Sequence, residues 1–289
     1  QGSVSDMKFL MKYVRLSRLD KPIGIYLLLW PSMLGLLLAA VNEGYIDFEN
    51  YLIVIAGAVL VRSCGCVIND ISDYKFDRLV ERTKNRPIAS GEISLKEAWG
   101  FFIVLSIASL SLLLVTPALT VKLALSFSLL ILLYPLAKRF TKAPQVILGI
   151  TFGSGSIISY SLQSDSFSLS IIILYAGLAA WIVSFDSIYA LEDIEDDAKI
   201  GINSTPILWG KKTVPIANIL QLSFYVAIAF IAYLNTFSVF FIVIFSLLLA
   251  LLYFQNKLIK AGRYIDAFKF NNNIGIVLVI SFVLEIFFI

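Results

Sequence analysis

Histidine is absent from all 289 residues, so the chain has no imidazole to serve as general base, haem ligand or zinc ligand. Cysteine occurs twice, at Cys64 and Cys66. The two lie one residue apart in an apolar segment with no further soft ligand beside them, which points to packing and away from a metal centre. Charge is scarce as well: 15% of residues are charged against 59% hydrophobic, outside the usage of water-soluble domains. The formal net charge of +3 is too small to mark a nucleic-acid binder. What fills the chain is a succession of uncharged runs, each long enough to cross a bilayer at about 20 residues per crossing.

The opening Gln1-Gly2-Ser3 looks like the remnant of a cleaved tag and is set aside. The first run, 23–41, follows five basic residues and exceeds the apolar region of a usual signal peptide, so it predicts a retained span. Further runs cover 51–68, 98–115, 123–137, 143–164 and 166–185. The run 213–256 is too long for one crossing and divides at Asn235-Thr236 into a seventh and an eighth span; a ninth covers 274–289 and carries Glu285. The expectation is an all-α polytopic membrane protein of about nine helices. Pro, Gly and Ser within the runs favour packed helices over a β-barrel. Placing alternate connections on opposite sides puts every one of the 23 Lys and Arg except Lys122 and Arg62 on one side, which the positive-inside rule assigns to the cytoplasm.

Two connections on that side carry related acidic motifs. Asn69, Asp73 and Asp77 are spaced by four, and so are Tyr189, Asp193 and Asp197, with an offset of 120 residues between the triplets. Spacing of four predicts one helical face for each. Arg86-Pro87-Ile88 matches Thr205-Pro206-Ile207 at an offset of 119, a weak internal repeat. It reads as a single membrane domain built from a duplicated four-helix unit, 20–140 and 143–256, in parallel, plus the ninth helix at 274–289. Carboxylates stacked on one face repel one another, and Asp70, Glu192, Glu195 and Asp196 add to that cost. An oxygen-only donor set favours Mg2+ or Mn2+, and Mg2+ characteristically shares its shell with substrate phosphates. Basic residues close by (Lys75, Arg78, Arg82, Arg86, Lys138, Arg139, Lys142, Lys199) suit phosphate oxygens, although most Lys and Arg in such connections serve topology alone. Asp186 stands at the membrane edge, where an ionisable group points to function.

Arg62 is the basic residue inside an apolar span. It lies seven positions before Asn69, on nearly the same face and about 10 Å deeper by helical rise. Such a group needs an anion or a polar cavity: the carboxylate of a small aromatic substrate, or a carboxylate from another helix.

The stretches Leu19-Asp20-Lys21-Pro22-Ile23-Gly24, Leu29-Trp30-Pro31, Gly65-Cys66-Val67-Ile68-Asn69-Asp70 through Asp77, and Arg86-Pro87 resemble the UbiA superfamily of intramembrane aromatic prenyltransferases. Tyr134-Pro135, Lys138-Arg139, Pro144-Gln145, the segment from Asp193 to Gly201, Ser204-Thr205-Pro206 and Asn271-Asn272-Asn273 are similar to the branch of that superfamily acting on 4-hydroxybenzoate. The resemblance implies two four-helix bundles plus one helix, around a cavity under a cytoplasmic cap, in a bacterial-type inner membrane. It implies Mg2+-dependent transfer of a polyprenyl chain from polyprenyl diphosphate to the carbon ortho to the phenol of 4-hydroxybenzoate, as in ubiquinone biosynthesis. Metal binding falls to Asn69, Asp73, Asp77, Asp193 and Asp197. The reaction involves Asp73, Asp77, Asp193, Asp197 and Asp186; Asp186 or Asp193 could take the phenol proton, and a role in metal binding is equally open for them. Substrate contacts fall to Arg62, Asn69, Asp70, Arg78, Lys142, Tyr189 and Lys199. The partners are the two substrates and membrane lipid, without nucleic acid; oligomeric state leaves no mark in the spacing.

Alternatives within the class are other acceptors, namely 1,4-dihydroxy-2-naphthoate, homogentisate or haem. From other classes come a secondary transporter and a prenyl-lipid scaffold. A parallel repeat with both acidic motifs on one side argues against a transporter with a midplane site, and a scaffold has no need of two complete motifs.

Overall fold

The computed structural model describes residues 2–287; the side chains of residues 2–6, 8, 138, 139 and 200 are outside the description. Its helices are α1 Gly2–Leu16, α2 Ile23–Glu43, α3 Phe48–Asp77, α4 Leu95–Ser111, α5 Ala118–Phe140, α6 Pro144–Tyr160, α7 Leu169–Tyr189, α8 Ile194–Ile200, α9 Thr205–Trp209, α10 Thr213–Leu234, α11 Val239–Lys260 and α12 Tyr264–Ile286. No strand occurs among the described residues. Among the described residues, eight stretches are long and apolar enough to cross a membrane. The fifth expected span, 143–164, falls on α6, which at 17 residues is shorter than that run.

Helix α2 and helix α7 lie at the centre, each buried along most of its length. Small residues let helices close in where water offers no help in pressing them together. A Cβ on Gly35 of α2 would come within 2.0 Å of the Ser156 carbonyl oxygen of α6, and one on Gly149 of α6 within 2.7 Å of the Ala179 carbonyl oxygen of α7. Around that centre Trp181 stacks on Phe224 of α10 at 5.0 Å between ring centres. Peripheral α4 buries only Ala98, as befits a helix turned to lipid. Cys66 is buried and both cysteines are free thiols, in keeping with a packing role.

One element boundary departs from expectation. The last helix starts at Tyr264, not at 274, so Lys269 and Asn271-Asn272-Asn273 are helical. Asn271 accepts from Trp181 Nε1 at 2.9 Å and Asn272 from Trp30 Nε1 at 3.0 Å, so these polar residues tie α12 to both central helices. Helix α3 continues beyond the apolar run 51–68 to Asp77, as the spacing of four predicts. Thirty residues make about 45 Å of helix against a hydrocarbon core of about 30 Å, and the first acidic motif rides on the projecting turns.

Candidate active site

Asp73 and Asp77 sit one turn apart near the end of α3, both buried, with Asn69 a turn earlier. The second motif is built differently. Helix α7 stops at Tyr189, residues 190–193 form turns, and α8 begins at Ile194 with Asp193 at its N-cap position. Tyr189, Asp193 and Asp197 therefore do not share one continuous helical face, contrary to the spacing. An unbroken helix would pile Glu192, Asp193, Glu195, Asp196 and Asp197 on a negative C-terminal end; restarting places Glu195, Asp196 and Asp197 in a first turn, where the helix dipole favours negative charge.

One arginine reaches the second motif from beside the first, and two more bind carboxylates of the first. Arg82 donates from Nε to Asp193 Oδ1 at 2.9 Å, from Nη2 to Asp193 Oδ2, and from Nη1 to the Tyr189 hydroxyl at 2.9 Å. Its guanidinium carbon lies 5.4 Å from the centre of the Tyr189 ring. Arg86 Nη1 donates to Asp77 at 3.0 and 2.9 Å and to Asp70 at 3.2 Å, while Arg18 Nη2 holds both oxygens of Asp70 at 2.9 and 2.8 Å. Burial pulls the Arg82 and Arg86 pKa values down. The Asp193 hydrogen bond with the Tyr189 and Asp193 charges, and for Arg86 the Asp70 and Asp77 charges, outweigh it, so both values stand above the ordinary arginine value.

Deeper in the bundle, Tyr134 of α5 lies within electrostatic reach of Asp186, Arg62 and Asp73, which draws residues of α3, α5 and α7 to one place. The Arg62 guanidinium carbon is 5.5 Å from the centre of the Phe152 ring, and its Nε is buried without a hydrogen-bond partner. Gly24 of α2 makes the room: a Cβ there would stand 2.6 Å from Arg62 Nε. The arrangement brings a buried guanidinium against an aromatic ring, with a tyrosine and two carboxylates in the same electrostatic neighbourhood.

Other expected contacts fall elsewhere. Asp70 is 1% exposed and committed to Arg18 and Arg86, a pairing its sequence neighbours did not announce. Arg78 donates from Nε to the Ala89 carbonyl at 2.8 Å and lies over Tyr74. Lys142 is exposed on the turn before α6, and Lys199, also exposed, pairs with Asp196 at 3.6 Å. Spacing alone did not single out Arg18, Gly24 or Phe152, since each acts through a contact distant in sequence. Tyr134, Arg86 and Gly24 nevertheless stand within the stretches that carry the family resemblance.

The donor set is oxygen-only, as Mg2+ prefers. No group of three or more His, Cys, Asp or Glu side chains converges into a ready cage among the described residues; arginine supplies the positive charge at Asp70, Asp77 and Asp193. The donor chemistry fits the ion, and the side chains would have to exchange partners to take it.

Residues 28–277 match the UbiA prenyltransferase family. The chain is 40% identical over 272 residues to the 4-hydroxybenzoate octaprenyltransferase of Vesicomyosocius okutanii, covering 93% of this chain and 99% of that one. It is also 40% identical over 281 residues to that of Saccharophagus degradans, with 96% and 93% covered. Among solved structures, the apo form of a UbiA homolog from Aeropyrum pernix superposes with a TM-score of 0.78 at 22% identity, covering 89% of this chain and 97% of that one. A UbiA homolog from Archaeoglobus fulgidus bound to GPP and Mg2+ superposes with a TM-score of 0.72 at 19% identity, covering 94% and 99%. These likenesses establish the fold.

Proposed function

The chain belongs to the UbiA prenyltransferase family, and from that premise we propose that it transfers a polyprenyl chain from polyprenyl diphosphate to the ring carbon ortho to the hydroxyl of 4-hydroxybenzoate, releasing diphosphate, a step of ubiquinone biosynthesis. The observation that carries a carboxylate-bearing acceptor is Arg62, and the names of the relatives select among such acceptors. Its Nε is buried and unpartnered, and Arg62, Asp73 and Asp186 all lie within electrostatic reach of Tyr134. A planar carboxylate matches a guanidinium better than any neutral acceptor group does, and the relatives at 40% identity carry 4-hydroxybenzoate in their names.

Asn69, Asp73 and Asp77 on α3 with Asp193 and Asp197 beyond α7 would hold Mg2+, a reading supported by a UbiA homolog of the same fold that binds GPP and Mg2+. The ion, when bound, neutralises charge on the departing diphosphate. Arg82 and Arg86, already at these carboxylates, present guanidinium groups to phosphate oxygens; Arg78, Lys142 and Lys199 add outer positive charge, and Tyr189 supports Arg82. Departure of diphosphate leaves an allylic cation, and the apolar walls around Phe152 keep water from it. Asp186 or Asp193 takes the phenol proton and so raises the nucleophilicity of the ring. The polyprenyl tail stays in lipid.

The protein is an integral membrane protein. Its basic side, with both motifs, faces the cytoplasm of a bacterial-type inner membrane in this reading, as the Lys and Arg asymmetry supports. The motifs cap corresponding helices of a duplicated unit. Mass spectrometry of product from purified protein, given a short polyprenyl diphosphate and 4-hydroxybenzoate, tests the proposal. The expected result is a mass gain of one prenyl chain with Mg2+ and none with EDTA, and near-complete loss in Asp73→Ala and Asp193→Ala. Product with another phenol but none with 4-hydroxybenzoate would overturn the acceptor.

A further inference from the structure

Arg82 covers both carboxylate oxygens of Asp193 and also reaches the Tyr189 hydroxyl, across 111 and 107 residues of sequence. A bidentate guanidinium commits the in-plane lone pairs of a carboxylate, and a divalent cation binding there would need the same electrons. The two cations compete for one group. Both partners are partly exposed, the Arg82 side chain at 36% and that of Asp193 at 17%, so the guanidinium has room to leave without unfolding its surroundings. Leaving it unpaired beside a newly bound cation is costly, and its other acidic neighbour, Asp77, is already held by Arg86.

We infer that Arg82 is the resident counter-cation of Asp193 and exchanges with the metal only when diphosphate arrives: the metal takes the carboxylate and the freed guanidinium takes a phosphate oxygen. The inference rests on the proposed reading of Asp193 as part of a metal and diphosphate site, and adds an order to it. Each new partner then makes room for the other, so metal and diphosphate bind with reciprocal positive coupling. Until both are present, the Arg82 to Asp193 pair pins the second connection against the sixth and keeps Asp193 neutralised. Arg82 is thus a positioning residue that suppresses metal binding in the empty enzyme and promotes it in the loaded one.

The experiment is a Mn2+ titration of the full chain in lipid nanodiscs, read by the electron paramagnetic resonance signal of free Mn2+, with and without inorganic diphosphate. Without diphosphate, Arg82→Gln is expected to bind Mn2+ about tenfold tighter than the unaltered protein, the scale of losing one charge-assisted pair. Arg82→Lys, which keeps the charge but cannot cover both oxygens, should fall between them. Adding diphosphate should tighten Mn2+ binding strongly in the unaltered protein and only weakly in Arg82→Gln. The double change Arg82→Gln with Asp193→Asn should lose the gain, placing it at Asp193. Equal or weaker Mn2+ binding by both Arg82 variants in the absence of diphosphate, while the unaltered protein still binds Mn2+ with diphosphate, overturns the exchange alone. No Mn2+ binding by the unaltered protein even with diphosphate overturns the metal site itself.

Discussion

Arg62 combines features that a structural arginine does not. It sits in a membrane-spanning helix, stacks on Phe152, and keeps a buried Nε without a partner in a space opened by Gly24. A charged group so placed is costly unless an anion completes it. Arg62→Gln is therefore expected to raise KM for 4-hydroxybenzoate by roughly 10- to 100-fold, from the about 1.5–3 kcal/mol of a hydrogen bond to a charged group, while KM for the polyprenyl diphosphate holds steady. Gly24→Ala should imitate it, because the new methyl would occupy the guanidinium's place. Steady-state kinetics with each substrate varied in turn decide the matter: equal changes in both KM values would mean that Arg62 only supports the fold. The residue was visible in the sequence as a lone basic group in an apolar run. Gly24 and Phe152 were not, because nothing in their own neighbourhoods says that a guanidinium comes between them.

Helix ends show where pattern and structure part. The spacing of four correctly places Asp73 and Asp77 on one helix, but the same spacing from Tyr189 to Asp197 spans a break, since a turn that restarts a helix can preserve the count while changing the direction. Glu285 is a second instance. This carboxylate within an apolar span is buried, and it accepts from the Ser238 backbone N at 2.7 Å and the Ser238 hydroxyl at 2.8 Å. Helix α12 thus caps the start of α11, whose N-cap side chain does not cap its own helix. Glu285→Ala should cost about 1 kcal/mol, the usual worth of a cap, seen as a lower thermal midpoint in detergent with catalytic constants unchanged. A fall in activity at unchanged stability would place Glu285 in the chemistry instead, far from both acidic motifs in sequence.

The acidic motifs come from opposite halves of the chain, and an active site shared between halves depends on how firmly those halves are pressed together. Arg82 alone would hold them loosely, since a partly exposed ion pair contributes little. The stronger seam lies in the membrane, where α2 of the first half packs on α6 of the second: Gly35 meets the Ser156 backbone, Ser159 Oγ donates to the Ser32 carbonyl, and Gly155 lies against the Ser32 side chain. Serine and glycine at these positions could be read from the sequence only as a general preference for close packing. Which helices they join depended on tertiary structure. At Gly35 the listening post is backbone, not a flexible side chain, so a Cβ at 2.0 Å has to move a whole helix. Gly35→Ala is expected to cost at least the about 1–3 kcal/mol of ordinary overpacking, lowering the yield of monodisperse protein and its thermal midpoint. Because the shift separates α2 from α6, it should also weaken binding of both substrates together, unlike Arg62→Gln. Gly57→Ala on α3 is the matched comparison: its Cβ would find only Leu112 Cδ1 at 4.0 Å, and replacing a helix-interior glycine there should be neutral or stabilising by about 0.5–1 kcal/mol. Equal behaviour of the two variants in size-exclusion and melting measurements would show that the halves do not rely on this seam, and that contacts such as the Arg82 to Asp193 pair carry the association after all.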